Sequence, residues 1–203
     1  MAVSEIAFIH LKSQDLSPST KETLLEAQKA QTEYSKHQVR FLHQIEDPSF
    51  YYLLGGWESV EKHMHEWIPS ETNQKLLERL GQDLDVSWMF HLDLDPSTSR
   101  IPLDAPVLGI SRYFVEASKK NEFDVAYKAS ESYLGAATAP FSYCGAWRID
   151  KEGEDEEFVI FSGWNEVQDH FDFAVSEGPK DFGKIRELTM GAEIKHVRLQ
   201  KWE

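Results

Sequence analysis

The chain is short of cysteine, of clustered positive charge, of long apolar runs and of glycine-rich loops. Each shortage excludes something. Cys144 is the only cysteine among 203 residues, so no intrachain disulfide can form, which suits a reducing compartment. It lies in the apolar stretch Phe141 to Trp147, where a buried, inert thiol is expected rather than a nucleophile. Lysine and arginine number 21 against 35 acidic residues, a formal charge of −14. Binding to nucleic acid needs basic clusters that neutralise phosphate, and an anionic membrane surface makes the same demand. Neither partner is expected. The first apolar run, Ile6 to Leu11, is interrupted by His10 and is too short for a signal peptide or a membrane span. A cytoplasmic protein is the expectation. The sequence contains no glycine-rich phosphate loop, Gly-x-Ser-x-Gly elbow, His-x-x-x-His pair or cysteine cluster. No nucleotide, flavin or metal is therefore expected, and any chemistry should proceed without a cofactor.

What is present is a repeated pattern. Gly56-Trp57-Glu58-Ser59-Val60-Glu61-Lys62-His63-Met64 returns as Gly163-Trp164-Asn165-Glu166-Val167-Gln168-Asp169-His170-Phe171, an offset of 107 residues. An apolar strand precedes each copy, Tyr51 to Leu54 and Phe158 to Phe161. The spacing of Val60, His63, Met64 and Trp67, and of Val167, His170, Phe171 and Ala174, predicts one face of a helix. Each predicted core stripe therefore contains a histidine. A neutral imidazole removed from water costs about 1–3 kcal/mol unless it finds a partner. Two readings stand: a satisfied core histidine that pins helix to sheet, or a histidine at the wall of a ligand cavity.

The remaining pattern fills in around the repeats. Strands are predicted at 5–12, 39–45, 50–57 and 86–93, with a helix from a Ser19/Glu22 capping box to about His37 and a second helix that Pro69 ends or kinks. The segment 96–106, with three prolines, reads as a linker. The second half repeats the order: strands at 107–115, 143–149, 158–164 and 193–202, and a helix capped by Asn121 and stopped at Gly135. An acidic solvated turn is expected at 151–157, and Gly178-Pro179 should interrupt the last helical region. Each half, 1–95 and 107–203, is thus β-α-β-β-α-β. That is an α+β, ferredoxin-like unit with both helices on one face of an antiparallel sheet. Aromatic residues on both strand faces imply that the two repeats cover each other, sheet to sheet, as a pseudo-dimeric barrel.

With that order and the doubled Gly-Trp ending of an apolar strand, the chain resembles tandem, fungal-type members of the dimeric α+β barrel superfamily, in its antibiotic biosynthesis monooxygenase-like branch. The resemblance spans nearly the whole chain. It implies a single-chain pseudo-dimer, monomeric or weakly homodimeric, with a cavity in one or both halves. It also implies kinship with cofactor-free oxygenases acting on aromatic polyketides, with polyketide cyclases and with haem-binding enzymes. It brings no invariant catalytic triad, so the site residues come from this sequence.

His10, His63 and His91 fall on strand 1, helix 2 and strand 4 of the first half, and could converge on a cavity lined by Phe8, Tyr51, Trp57 and Trp88. A neutral histidine can take a proton from an activated carbon or phenol near pH 7, and Tyr52 or Tyr34 could donate to the developing enolate oxygen. The second half offers His170 and His196 beside Trp164, with Arg112 and Tyr113 on its first strand. Arg112 stands roughly where the first half has His10 and would suit a carboxylate or enolate. The alternative for Arg112 is a salt bridge at a sheet edge. The expected catalytic residues are His63, His170, His10 and His91. Trp57, Trp88, Tyr51, Arg112, Tyr113, Trp164 and His196 are the expected substrate contacts. The leading function is a cofactor-independent enzyme of secondary metabolism, a monooxygenase or a cyclase/lyase, acting on an aromatic or polyketide-like small molecule. The alternatives are a non-catalytic small-molecule-binding or stress-response protein, and a haem-binding barrel.

Overall fold

The computed structural model describes residues 1–13, 15–176 and 180–202, with side chains from 183 onward in the last segment. The chain forms two compact units, Met1–Ser99 with Leu199–Glu203, and Arg100–Arg198. In the first unit the order is β1 (Val3–Leu11), α1 (Pro18–Ser35), β2 (Arg40–Gln44), β3 (Phe50–Trp57), a π-helical segment (Lys62–Trp67), α2 (Glu71–Leu80) and β4 (Leu84–Leu92). Its strands are antiparallel in the order β4-β1-β3-β2. The second unit has β5 (Val107–Val115), α3 (Lys120–Thr138), β6 (Tyr143–Trp147), β7 (Glu156–Trp164), α4 (Val167–Val175), α5 (Lys180–Glu187) and β8 (Thr189–Leu199). Its order is β8-β5-β7-β6, also antiparallel. Both units are therefore split-βαβ, ferredoxin-like sheets.

Strand alternation assigns the faces. Glu5, Ala7, Ile9 and Leu11 share the face of β1 that meets the helices. There Ile9 and Leu11 pack with Leu24 of α1 and Leu80 of α2. The C-terminal residues join this cluster: Gln200 donates its N–H to the Phe41 carbonyl at 2.9 Å, and Trp202 stacks on Tyr51. On the opposite face Phe8 stacks on Phe50 at 4.6 Å and on Trp88 at 5.3 Å. In the second unit Phe123 of α3 sits edge-on to Trp147 and Phe158.

Several local expectations are corrected. The first cap is Ser17 and not Ser19: its side chain accepts from the Thr20 N–H, and Pro18 opens α1. Asn121 lies inside the first turn of α3, behind a short 3-10 turn at Ala117–Lys119. Gly135 does not stop that helix, which runs to Thr138. Its missing side chain makes room for Tyr143, whose ring would lie 3.1 Å from a Cβ there. Glu156 and Glu157 are not part of a solvated turn but buried strand residues. Lys120 and Lys151 hold the first, and Arg112 and Arg148 the second. The expected break at Gly178-Pro179 lies outside the described residues.

The helical stripes also rotate. Met64 and Phe171, predicted to face the core, are exposed. In the first unit the segment after His63 is π-helical, with the Ile68 N–H bonding the His63 carbonyl. The wider turn brings His63 and Trp67, four apart, onto one face. In the second, α4 is an ordinary helix that buries His170 and Phe173, three apart. The π turn thus accommodates one extra residue, so Trp67 and Phe173 take equivalent places against Trp57 and Trp164.

The repeated glycine has a steric cause. A Cβ on Gly56 would lie 2.6 Å from Pro96 and 2.8 Å from His37, and one on Gly163 would lie 2.5 Å from Phe141 and 2.9 Å from Pro102. In each unit the chain around the proline-rich connection crosses directly over the strand end, and only glycine admits it.

Candidate functional site

In the first unit five elements bring their side chains to one point beneath the helices. The π segment supplies His63, whose Nδ1 lies 2.7 Å from Nε2 of His91 on β4. One of these nitrogens must carry the shared proton and the other accept it. Trp57, at the end of β3, lies flat against the His63 ring, with centroids 4.2 Å apart and planes 10° apart. Beneath it is Glu5 of β1, whose Oε2 accepts from Trp57 Nε1 at 2.7 Å and from Gln31 Nε2 of α1 at 2.7 Å. The same oxygen is 3.8 Å from Nε2 of His63. Glu5, His63 and His91 are 5%, 1% and 0% exposed. Burial pushes the Glu5 carboxyl above its ordinary range; the Trp57 hydrogen bond, the His91 charge and the Gln31 hydrogen bond pull the other way. Gly55 is what makes room, since a Cβ there would sit 2.7 Å from Glu5 Oε2.

The second unit builds a related arrangement. His170 Nδ1 lies 3.0 Å from His196 Nε2, and Trp164 stacks on His170 at 4.7 Å and 11°. Trp164 Nε1 donates to Ser162 Oγ at 2.9 Å instead of to a carboxylate. Burial, then His196, then Arg186 lower the His170 pKa to about 3, so the ring is neutral at physiological pH.

Strand register shows which positions correspond. Val3 pairs with Trp57 as Val107 pairs with Trp164. Glu5 lies between Gly55 and His91, and Gly109 between Ser162 and His196. The polar acceptor for the tryptophan N–H has therefore changed strands, and the glycine has moved to the strand it left. A Cβ on Gly109 would meet Ser162 Oγ at 2.9 Å and His170 Nδ1 at 3.0 Å.

Of the predicted residues, the structure gathers His63, His91 and Trp57, and His170, His196 and Trp164. It does not bring the others to them. His10 is on the opposite face of β1 from Glu5, stacked on Phe50, and five residues along a strand is about 16 Å. Trp88 is on that same opposite face, packed on Phe8, Phe90 and Tyr52. Tyr51 is on the helix side but at the far end of β3, stacked on His43. Arg112 corresponds to Phe8, not to His10, because it pairs with Glu193 as Phe8 pairs with Trp88. Its Nε donates to Glu157 at 2.5 Å and its Nη1 to Glu193 at 2.9 Å, the salt-bridge alternative. Tyr113 is buried against Phe123. Tyr34 reaches outward to Glu66. The Cys144 thiol is pushed up to about 12 by burial. Sequence reasoning missed Glu5, Gln31, Ser162 and Gly109. An acidic residue on the helix-facing row of an otherwise apolar strand was the available signal for Glu5.

His63 and His170 each lie between a tryptophan face and a second imidazole. Among the described residues no group of three or more His, Cys, Asp or Glu side chains is arranged to hold a metal ion, and no helix is long and apolar enough to cross a membrane.

No protein-family model and no curated protein sequence matches the chain. Solved structures do. An anthrone oxidase-like protein is 11% identical, with a TM-score of 0.67, over 98% of this chain and 92% of its own. A candidate monooxygenase from Fusobacterium nucleatum subsp. nucleatum is 8% identical, with a TM-score of 0.66, over 98% and 93%. A haem-binding protein from Thermus thermophilus is 9% identical, with a TM-score of 0.59, over 98% and 91%. Over 98% of its length the chain shares the fold of these solved structures.

Proposed function

We propose that this protein is a cofactor-independent enzyme, a monooxygenase or a cyclase/lyase, that removes a proton from carbon in an aromatic or polyketide-like small molecule. The observation that carries the reading is the buried Glu5–His63–His91 set beneath Trp57. An imidazole held in one orientation by a second imidazole, with a carboxylate on its other side, is arranged to accept a proton. In the reaction the C–H electrons stay on the substrate as an enolate and the proton moves to the His63 side. With dioxygen as co-substrate, an activated CH2 becomes a carbonyl and the second oxygen atom leaves as water. Without dioxygen, the same enolate can add to a carbonyl of its own molecule and cyclise, the new alkoxide taking up the proton, or expel a leaving group from its β carbon. The likeness to an anthrone oxidase-like protein supports a flat phenolic ketone as the substrate class. The single cysteine suits a reducing, cytoplasmic setting.

A second reading keeps a specific observation: His63 and His91 are 1% and 0% exposed, as expected of a non-catalytic binding or stress-response barrel whose histidines only tie helix to sheet. Oxygen consumption with anthrone as probe separates the two. The enzyme reading expects turnover by the wild type and a loss of more than tenfold in kcat for His63→Ala. Folded His63→Ala protein with unchanged turnover, or a wild type inert towards anthrone and related phenolic ketones, would favour the second.

A further inference from the structure

The two units hold the same tryptophan-on-histidine stack and the same imidazole pair, yet they differ at one strand position. Glu5 in the first unit is Gly109 in the second, and the compensating change is Gly55 to Ser162. This exchange keeps the tryptophan N–H bonded in both units. It does not keep the charge. A serine hydroxyl satisfies an indole N–H as well as a carboxylate does, but it cannot neutralise an imidazolium.

We propose that the first unit alone carries the proton-accepting site, and that Glu5 makes it one by supplying the negative charge that an imidazolium on His63 needs. This rests on the proton-abstraction reading above and names the half of the duplication that performs it. Glu5 is a positioning residue. It touches His63 and not the substrate, and its oxygen at 3.8 Å from Nε2 is close enough to form an ion pair once the ring is protonated. The groups facing this carboxylate are Trp57 from β3, Gln31 from α1, His91 from β4 and His63 from the π segment. Two of them are neutral donors and the other two are the imidazole pair. Around His170, burial, His196 on β8 and Arg186 on α5 all act against a positive ring. A proton leaving a substrate therefore finds a stabilised destination in the first unit and none in the second. The step balances: the C–H bond breaks, its electrons remain on carbon, and the proton rests on the imidazole pair opposite Glu5.

The exchange also explains why Gly55 cannot be a larger residue. The carboxylate needs the space above it, and Gln31 closes that space 2.8 Å from where a Cβ would stand. In the second unit the imidazole itself has moved over the vacated position, which is why a Cβ on Gly109 would strike His170.

The test is Glu5→Gln in the full chain, read in two ways. Glutamine keeps the shape and still accepts from Trp57, so a purely packing role would leave both readings unmoved. NMR titration of the imidazole resonances is expected to show the His63 midpoint moving to lower pH by at least one unit in Glu5→Gln, with His170 neutral throughout in both proteins. Turnover is expected to lose more than tenfold in kcat with KM within about twofold, and the acidic limb of the pH profile should move to lower pH. Glu5→Asp, which keeps the charge, should recover part of both. A His63 midpoint that does not move in Glu5→Gln overturns the proposal whatever the substrate is. So does a wild type that turns over a phenolic ketone with kcat and pH limb unchanged by Glu5→Gln. If the midpoint moves as expected and no substrate of this class is turned over, the Glu5–His63 coupling stands and the assigned reaction is what fails.

Discussion

His170 shows what burial does to an imidazole that has no counter-charge among the groups acting on it. Its pKa falls from 6.5 to about 3, so the folded ring refuses a proton that the unfolded ring accepts. Between those values the unfolded state binds more protons, and stability drops as the pH falls from 6.5 towards 3, by up to about 1.4 kcal/mol per pH unit. Urea melts at pH 7, 5 and 4 should show this slope in the wild type and a flatter one in His170→Leu. Glu5 has the opposite sign. Its carboxyl is raised by burial, so it contributes stability below its unfolded pKa of about 4.5 that is lost as pH rises through the folded value. Glu5→Gln should therefore melt no lower than the wild type at pH 7, and higher if the buried charge is costly. A residue whose neutral isostere is tolerated by the fold but not by turnover is retained for chemistry.

At the scale of elements, the repeated strand-then-helix pattern was legible because it depends on periodicity and on steric need. Gly56 and Gly163 were visible as a repeat, although their cause was not, since Pro96 and Pro102 lie far along the chain from the strands they cross. Gly56→Ala places a methyl 2.6 Å from the Pro96 ring and should cost about 1–3 kcal/mol. At this size each kcal/mol lowers Tm by roughly 2–4 °C. Gly183→Ala, in α5 with nothing within 4 Å, is the control and should be neutral or slightly stabilising. The helix stripe was misread at Met64 because a π turn is a hydrogen-bond choice that a period of 3.6 does not contain, and at Phe171 because α4 buries His170 with Phe173, the i+3 neighbour, and leaves the i+1 residue exposed. The acidic segment was misread at Glu156 and Glu157 because, Lys151 apart, their cationic partners Lys120, Arg112 and Arg148 come from outside it.

Across the whole molecule, duplication has been followed by divergence in opposite directions on the two faces of the sheets. On the helix face the imidazole pair is shared by the two repeats and the carboxylate is not. On the other face Phe8, Phe50 and Trp88 of the first unit correspond in register to Arg112, Glu157 and Glu193 of the second. A stacked aromatic set in one repeat is an ion-paired set in the other. Sequence reasoning reached the fold and the four paired histidines because both follow from pattern within one repeat. It mixed the two faces when it grouped His10 and Trp88 with His63, although alternation sets Trp88 apart from His91 on β4 and His10 apart from Glu5 on β1. The exchange of Glu5 with Gly109 and Ser162 becomes visible only when the repeats are aligned by their hydrogen-bonded partners.

The most direct measurement is exchange of the acidic carbon-bound hydrogen of a flat phenolic ketone with deuterated solvent, followed for the wild type, His63→Ala and His170→Ala. Proton abstraction by the first unit predicts enzyme-accelerated exchange that falls more than tenfold in His63→Ala and stays near the wild-type rate in folded His170→Ala. Exchange that is untouched in His63→Ala, or lost only in His170→Ala, would contradict it.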